Sequence, residues 1–297
     1  MARVPGSAER KRGGLLNSLT LRTAIALAFL GLAGPTVCLA HLSSEPGVFE
    51  VREEKVKLPH RELNLTYVKP VAPKPHGFLI LFATGDAGWL GASNSVFERM
   101  AELGYYAVAY NSREALKPAK KSGKKLTMSE VGEDLRTVIE QAKHELALPE
   151  ETPTILSGVS RGASMAVLVA GDKKLQPLLA GAIAVALTRE SDYLVAPENA
   201  ATMPGIKLDE KGGVLTYPAI ERLGPLPIAV IQAEGDKYVP APEARELFGP
   251  DTPTRRLYAV KASNHGFRGG QDELLRDVDD ALSWIASLPP PESKTPE

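Results

Sequence analysis

The chain has 297 residues, with 35 Lys and Arg against 36 Asp and Glu, a balance that offers no basic field for general nucleic-acid binding. Its single cysteine, Cys38, lies close to the N-terminus within an apolar stretch. Beyond that stretch the chain holds no thiol nucleophile, no thiolate metal site and no disulfide framework.

The first 40 residues read as a secretory signal peptide. Arg3, Arg10, Lys11 and Arg12 make a positive start, and the apolar stretch from Leu19 to Leu39 follows. Cys38-Leu39-Ala40 then sets small residues at the two positions a signal peptidase reads. Cleavage near Ala40 predicts a periplasmic protein. The alternative is a retained anchor in the inner membrane, since Ala24 to Leu39 is only a little shorter than a span. Five of the basic and one of the acidic residues fall in this leader, so the remainder is mildly acidic. That remainder, 41–289 with a polar, Pro-rich tail over 290–297, is long enough for one α/β domain with a large core.

Alternation over Val48–Val51, Lys55–Leu58 and Leu63–Val68 predicts two extended segments before the prolines at 70, 73 and 75. Phe78–Phe82 is a continuous apolar run, as a strand buried on both faces requires. A helix over Ser95–Leu103 ends at Gly104, and a strand over Tyr105–Tyr110 follows. The spacing of Val131, Leu135, Val138, Ile139 and Ala142 predicts a helix over Met128–Leu146, closed by Pro149. Further strands are expected at Thr154–Leu156, Gly181–Leu187, Ile228–Ala233 and Arg256–Val260, with a closing helix over Asp272–Leu288. Strands alternating with helices over this length indicate a mainly parallel sheet covered on both faces.

Two segments stand outside this alternation. Arg113 to Lys125 carries Arg113, Lys117, Lys120, Lys121, Lys124 and Lys125, and reads either as a solvated loop or as a contact for anionic head groups at a membrane surface. Residues 189–224 form a long excursion between two core strands, with Tyr193, Met203 and Tyr217 in it. It suits a short cap-like insertion beside a site, its three named side chains expected to shelter the acyl or head-group end of a substrate.

The chemistry is carried by Gly158-Val159-Ser160-Arg161-Gly162, between an apolar strand and a helix-forming run. A serine between two glycines at such a junction suits a nucleophile elbow, a tight strained turn that raises a hydroxyl above a parallel sheet. Such a serine needs a base to take its proton, and the base needs an acid to fix its tautomer. His265 is the only histidine after Ser160, and it follows the last strand; His41, His60, His76 and His144 all precede it. The acid is expected at Asp236, in the loop after Ile228–Ala233, with Glu234 as its rival. The two oxyanion amides are expected at Arg161 and, from the loop Ala83–Trp89, at Asp86. Gly85, Trp89 and Tyr193 are the expected substrate contacts. No metal and no organic cofactor are expected; the Gly-Asp-x-Gly loop lacks the Lys-Ser/Thr of a phosphate loop.

Gly85-Asp86-Ala87-Gly88-Trp89, Leu103-Gly104-Tyr105 and Gly158-Val159-Ser160-Arg161-Gly162-Ala163 resemble the VirJ/AcvB bacterial virulence proteins of the α/β-hydrolase superfamily, across most of residues 76–287. His265-Gly266-Phe267 is closer to enzymes of the dienelactone-hydrolase type. The first resemblance implies an α/β-hydrolase fold in a periplasmic protein. It also implies a Ser-Asp-His hydrolase of aminoacylated phospholipid and, by position, supports Ser160, Asp236 and His265. The expected activity is therefore hydrolysis of a small-molecule or lipid ester. An amidase or peptidase on the same residues, or a non-catalytic envelope protein that binds a secretion partner, are the alternatives.

Overall fold

The computed structural model describes residues 48–74, 77–117, 126–191 and 205–289. The leader, the tail, His76, the lysines from Lys120 to Lys125, Tyr193 and Met203 lie outside them.

The chain opens with a hairpin of β1 (Phe49–Lys57) and β2 (Glu62–Pro70). Next come β3 (Leu79–Ala83), α1 (Ala92–Glu102), β4 (Tyr106–Tyr110), the one-turn α2 (Ser112–Ala115) and α3 (Met128–Glu145). β5 (Thr154–Val159), α4 (Arg161–Ala170) and β6 (Leu179–Val185) follow. The excursion then supplies a small ribbon of β7 (Glu190–Ser191) and β8 (Val214–Leu215), and α5 (Thr216–Ala219). The chain finishes with β9 (Ile228–Ala233), α6 (Ala241–Phe248), β10 (Arg255–Val260) and α7 (Gln271–Ser287).

The main sheet has eight strands in the order β1-β2-β4-β3-β5-β6-β9-β10. Only the β1–β2 and β2–β4 pairs are antiparallel. The parallel strands show why their sequences are apolar throughout. In β3, Leu79 and Leu81 enter the core on one face while Ile80 and Phe82 enter the other, because successive side chains of a strand point to opposite sides. α3 and α4 cover the first face through Val131, Leu135, Val138 and the buried run Ala163–Ala170. α1 and α7 cover the second through Phe97, Met100, Leu274, Val278 and Leu282.

α3 starts where the sequence predicts, and its first turn is capped twice. The Thr127 hydroxyl accepts from the Glu130 N–H while the Glu130 carboxylate accepts from the Thr127 N–H. That backbone bond holds the Glu130 carboxyl below its usual range.

Several local readings are corrected. α1 starts at Ala92, three residues before the sequence suggests. Arg113 is part of α2 rather than of a loop. α6, only eight residues long, is missed from sequence. Tyr217, expected to shelter a substrate, is buried in the core on α5 beside Ile220 and Leu223.

The sheet order positions the site. β3 lies between β4 and β5, so the chain leaves β3 toward one edge of the sheet and leaves β5 toward the other. Loops that diverge from two adjacent strands open a crevice at their carboxyl ends, the usual place for chemistry in an open α/β sheet. Ala83 pairs with Gly158 in register, which brings the two loops side by side.

Candidate active site

Ser160 joins β5 to α4 with φ 54° and ψ −114°. An L-residue held at such angles costs about 1–3 kcal/mol, which the surroundings must offset. Its N–H donates to the Val185 carbonyl at 2.8 Å, and its carbonyl accepts from the Ser164 N–H at 3.0 Å. The flanking glycines are a packing requirement. A Cβ on Gly162 would lie 2.0 Å from the Ala83 carbonyl oxygen, and one on Gly158 would lie 2.4 Å from the Gly162 carbonyl carbon. The Arg161 amide belongs to the first turn of α4, at the positive end of the helix dipole.

The loop after β3 is pressed against this elbow. A Cβ on Gly85 would lie 3.3 Å from the Val159 carbonyl oxygen and 3.5 Å from the Ser160 Cβ. The Gly85 N–H donates to the Ser93 hydroxyl at 3.0 Å, and the Gly88 N–H donates back to the Gly85 carbonyl at 3.0 Å. Those bonds leave Asp86 at the tip of a closed turn. Its carboxylate forms an ion pair with the Arg161 guanidinium, and its carbonyl accepts from Arg113 Nη1 at 3.5 Å. Sequence reasoning used only the amides of Asp86 and Arg161 and missed that their side chains lock the two loops together.

The acid and the histidine meet. His265 Nδ1 lies 2.7 Å from Asp236 Oδ2. The carboxylate also accepts from the Tyr238 N–H at 2.8 Å and from Gln232 Nε2 at 3.0 Å. Three N–H donors thus converge on one buried carboxylate. An Nδ1–H that donates to Asp236 leaves the lone pair on Nε2. That Nε2 is buried and makes no hydrogen bond. The two loops approach closely because position 235 is glycine: a Cβ there would lie 2.7 Å from Ser263 backbone atoms. Glu234 is exposed and makes no bond to the histidine, its N–H being spent on the Val260 carbonyl.

The His265 loop is shaped by two neighbours of the histidine to which the sequence reading gave no structural role. The Asn264 side-chain oxygen accepts from the Gly266 and Arg268 N–H groups, each at 3.0 Å. Phe267, at φ 59°, is fully buried and anchors the loop in the core.

Ser160 opens onto a cleft of about 340 Å³ lined by Asp86, Arg161, Ser164, Thr188, Arg189, Glu190, Ser191 and Tyr238. The Tyr238 ring, part of that lining, packs edge-on against the His265 imidazole, centroids 4.7 Å apart, so the histidine lies directly behind the cleft wall. The start of the excursion forms the opposite wall: Thr188 bonds the Ser164 hydroxyl at 2.8 Å, and Arg189 is paired with Glu243. Among the described residues, Glu190 is the one charged group lining the cleft without an ion-pair partner. Trp89 is not in the lining; it stacks on Phe82 and packs at a tilt against Phe97. Beneath the cleft, burial first and the charge of Asp236 next push the Tyr217 phenol above its ordinary value, so it stays neutral.

No protein-family model and no curated protein matches this chain. Solved structures do. An alpha-beta serine hydrolase homologue from Coxiella burnetii is 18% identical, with a TM-score of 0.54 over 77% of this chain and 96% of that one. Est1E from Butyrivibrio proteoclasticus is 17% identical, with a TM-score of 0.53 over 79% and 99%. The esterase Pf2001 of Pyrococcus furiosus is 16% identical, with a TM-score of 0.55 over 79% and 90%. At such identities the likeness is one of backbone architecture, and the architecture of this chain is the α/β-hydrolase fold.

Proposed function

We propose that this protein is a serine hydrolase that cleaves carboxylic esters with Ser160, His265 and Asp236. The observation that carries the reading is the strained serine lining a cleft whose Tyr238 wall packs on a histidine with its Nδ1 committed to a buried carboxylate. In this reading His265 Nε2 takes the Ser160 proton as Oγ attacks the ester carbonyl. The oxyanion that forms accepts from the Asp86 and Arg161 amides, each such donor typically worth about 3–4 kcal/mol. The carbon–oxygen bond to the alcohol then breaks, and the alcohol leaves with the proton held on His265. A water enters, gives its proton to Nε2 and attacks the acyl-enzyme, and Ser160 recovers its proton as the acid departs. Asp236 holds the imidazole and stabilises its charged form throughout.

The finer substrate reading is an aminoacyl ester such as an aminoacylated phospholipid. The cleft wall is hydroxylated and charged, with Tyr238 the only aromatic among the described lining residues, and the uncompensated Glu190 suits a protonated amine on the acyl group. Export with cleavage near Ala40 belongs to the same proposal, and the mass of the mature N-terminus tests it. Among the described residues no helix is long and apolar enough to cross a membrane.

Wild-type protein is expected to hydrolyse p-nitrophenyl acetate and to take a fluorophosphonate label on Ser160. Ser160→Ala is expected to lose the label and about five orders of magnitude in kcat, with its thermal midpoint near that of wild type. Activity within tenfold of wild type in Ser160→Ala would overturn the nucleophile. Absence of both labelling and turnover in the wild type would favour a binding role.

A further inference from the structure

Asp236 is served by a residue that touches neither the cleft nor the histidine. Gln232 lies on β9, fully buried, four residues before the acid. Its Nε2 has two acceptors, Asp236 Oδ2 at 3.0 Å and the Val239 carbonyl at 2.5 Å. Its Oε1 is buried without a hydrogen-bond partner. The amide orientation follows from this chemistry: a flipped group would aim a carbonyl oxygen at a carboxylate and at another carbonyl.

That is a costly choice for a core position. An aliphatic side chain on a fully buried strand would leave no orphaned oxygen. What the amide does instead is brace a turn. One hydrogen holds the carboxylate and the other holds Val239, the far end of the acid loop, while the Tyr238 N–H holds Oδ1. The carboxylate therefore cannot rotate without breaking bonds on both oxygens. Gln232 and His265 also share one acceptor, Oδ2, so the amide draws some of its charge away from the imidazole.

We propose that Gln232 is a positioning residue for the acid–histidine pair, orienting Asp236 and setting the strength of its bond to His265. This rests on the catalytic reading above. It makes two expectations that core filling does not. The loss on replacement falls on kcat and leaves KM alone, because Gln232 is remote from substrate; and the His265–Asp236 bond itself changes.

The test compares wild type with Gln232→Met, similar in volume and without donors, and Gln232→Glu, which keeps the shape and in its protonated form has one O–H for two acceptors. Gln232→Met is expected to lower kcat about 10- to 100-fold, the scale of a small misalignment of reacting groups, with KM within about threefold. Gln232→Glu should fall between it and wild type. In proton NMR the His265 Nδ1–H resonance should move downfield in Gln232→Met, as Oδ2 loses its competing donor and the remaining bond strengthens. That measurement needs no turnover, so it decides the proposal even where the hydrolase reading fails. An unmoved Nδ1–H resonance, a wild-type kcat in either folded variant, or a loss confined to KM would overturn it. If Gln232→Met does not fold, the kcat and Nδ1–H resonance of Gln232→Glu decide alone.

Discussion

Two carboxylates in this molecule are buried to the same degree and held in nearly the same way, yet they belong to different kinds of site. Asp134 on α3 and Asp236 after β9 are each 2% exposed. Asp134 accepts from the His60 N–H at 3.0 Å and from Arg61 Nε at 3.1 Å. Asp236 accepts from the Tyr238 N–H at 2.8 Å and from His265 Nδ1 at 2.7 Å. Each has one backbone donor and one cation-capable side chain. The difference lies in what the partner still has to offer. Arg61 stays protonated and spends its guanidinium on Asp134 and the Glu114 carbonyl, pinning the β1–β2 hairpin to α3. His265 has a second nitrogen, buried and left over without a hydrogen bond. Burial and ligation alone do not separate the two carboxylates; what separates them in the proposed mechanism is a partner nitrogen with a lone pair to accept a proton, which an imidazole has and a guanidinium lacks.

Replacing each aspartate by asparagine separates the two most sharply. Asp236→Asn is expected to lower kcat by about 10⁴, because an amide favours the wrong imidazole tautomer, while the fold persists. Asp134→Asn should leave kcat within a few-fold and cost about 3–5 kcal/mol of stability, since it strands a buried guanidinium. Activity assays and denaturant unfolding on both variants check this; a hydrolase equally slowed by both would dissolve the distinction.

A smaller effect comes from removing the structural pair whole. Arg61→Met with Asp134→Leu takes out both charges, and most of the stability lost in Asp134→Asn should return, because apolar replacement of a buried ion pair is often close to neutral. No such rescue is expected at Asp236, where the loss is chemical. Unfolding midpoints of the double and single variants decide it.

Asp277 on α7 extends the comparison to a half-buried carboxylate that makes no hydrogen bond and faces its own charge. Burial, then the charges of Glu273 and Asp280, raise its carboxyl to about 6. Its folded value lies above its unfolded one, so the native state holds the proton more tightly between them. Its contribution to stability therefore improves as pH falls from about 6 toward 4 and is worst above 6. Asp277→Asn should melt a little higher than wild type at pH 7.5, with the gap closing near pH 4. A gap independent of pH would mean that the charge is not the cause.

Much of this organisation is legible in the residues themselves. The unbroken apolar runs at Leu79–Ala83 and Ile228–Ala233 are strands because only a sheet buried on both faces hides every side chain of such a run. The Gly-x-Ser-x-Gly turn is legible because the requirement is local: no side chain fits at Gly158 or Gly162, and the serine between them accepts a strained φ. Chain order was enough to single out His265, the one histidine after the elbow. These signals are short-range, set by period, steric exclusion and sequence position.

What the sequence could not determine depends on contacts between segments far apart in the chain. Loop placement past Gly235 favours Asp236 over Glu234 in the sequence, but the contact itself is made by a loop 29 residues on, admitted by the missing side chain at Gly235. Trp89 and Tyr217 look like substrate contacts in a linear reading, yet an aromatic cluster and the core claim them, since burial of a large ring is settled by whichever surface closes over it. The Asp86–Arg161 lock and the Gln232 brace join residues of no recognisable motif. A hydrogen bond needs its two partners within about 3 Å and correctly aimed; for the lock the sheet does this by setting β3 beside β5, and for the brace the turn after β9 does it by folding back on its own strand.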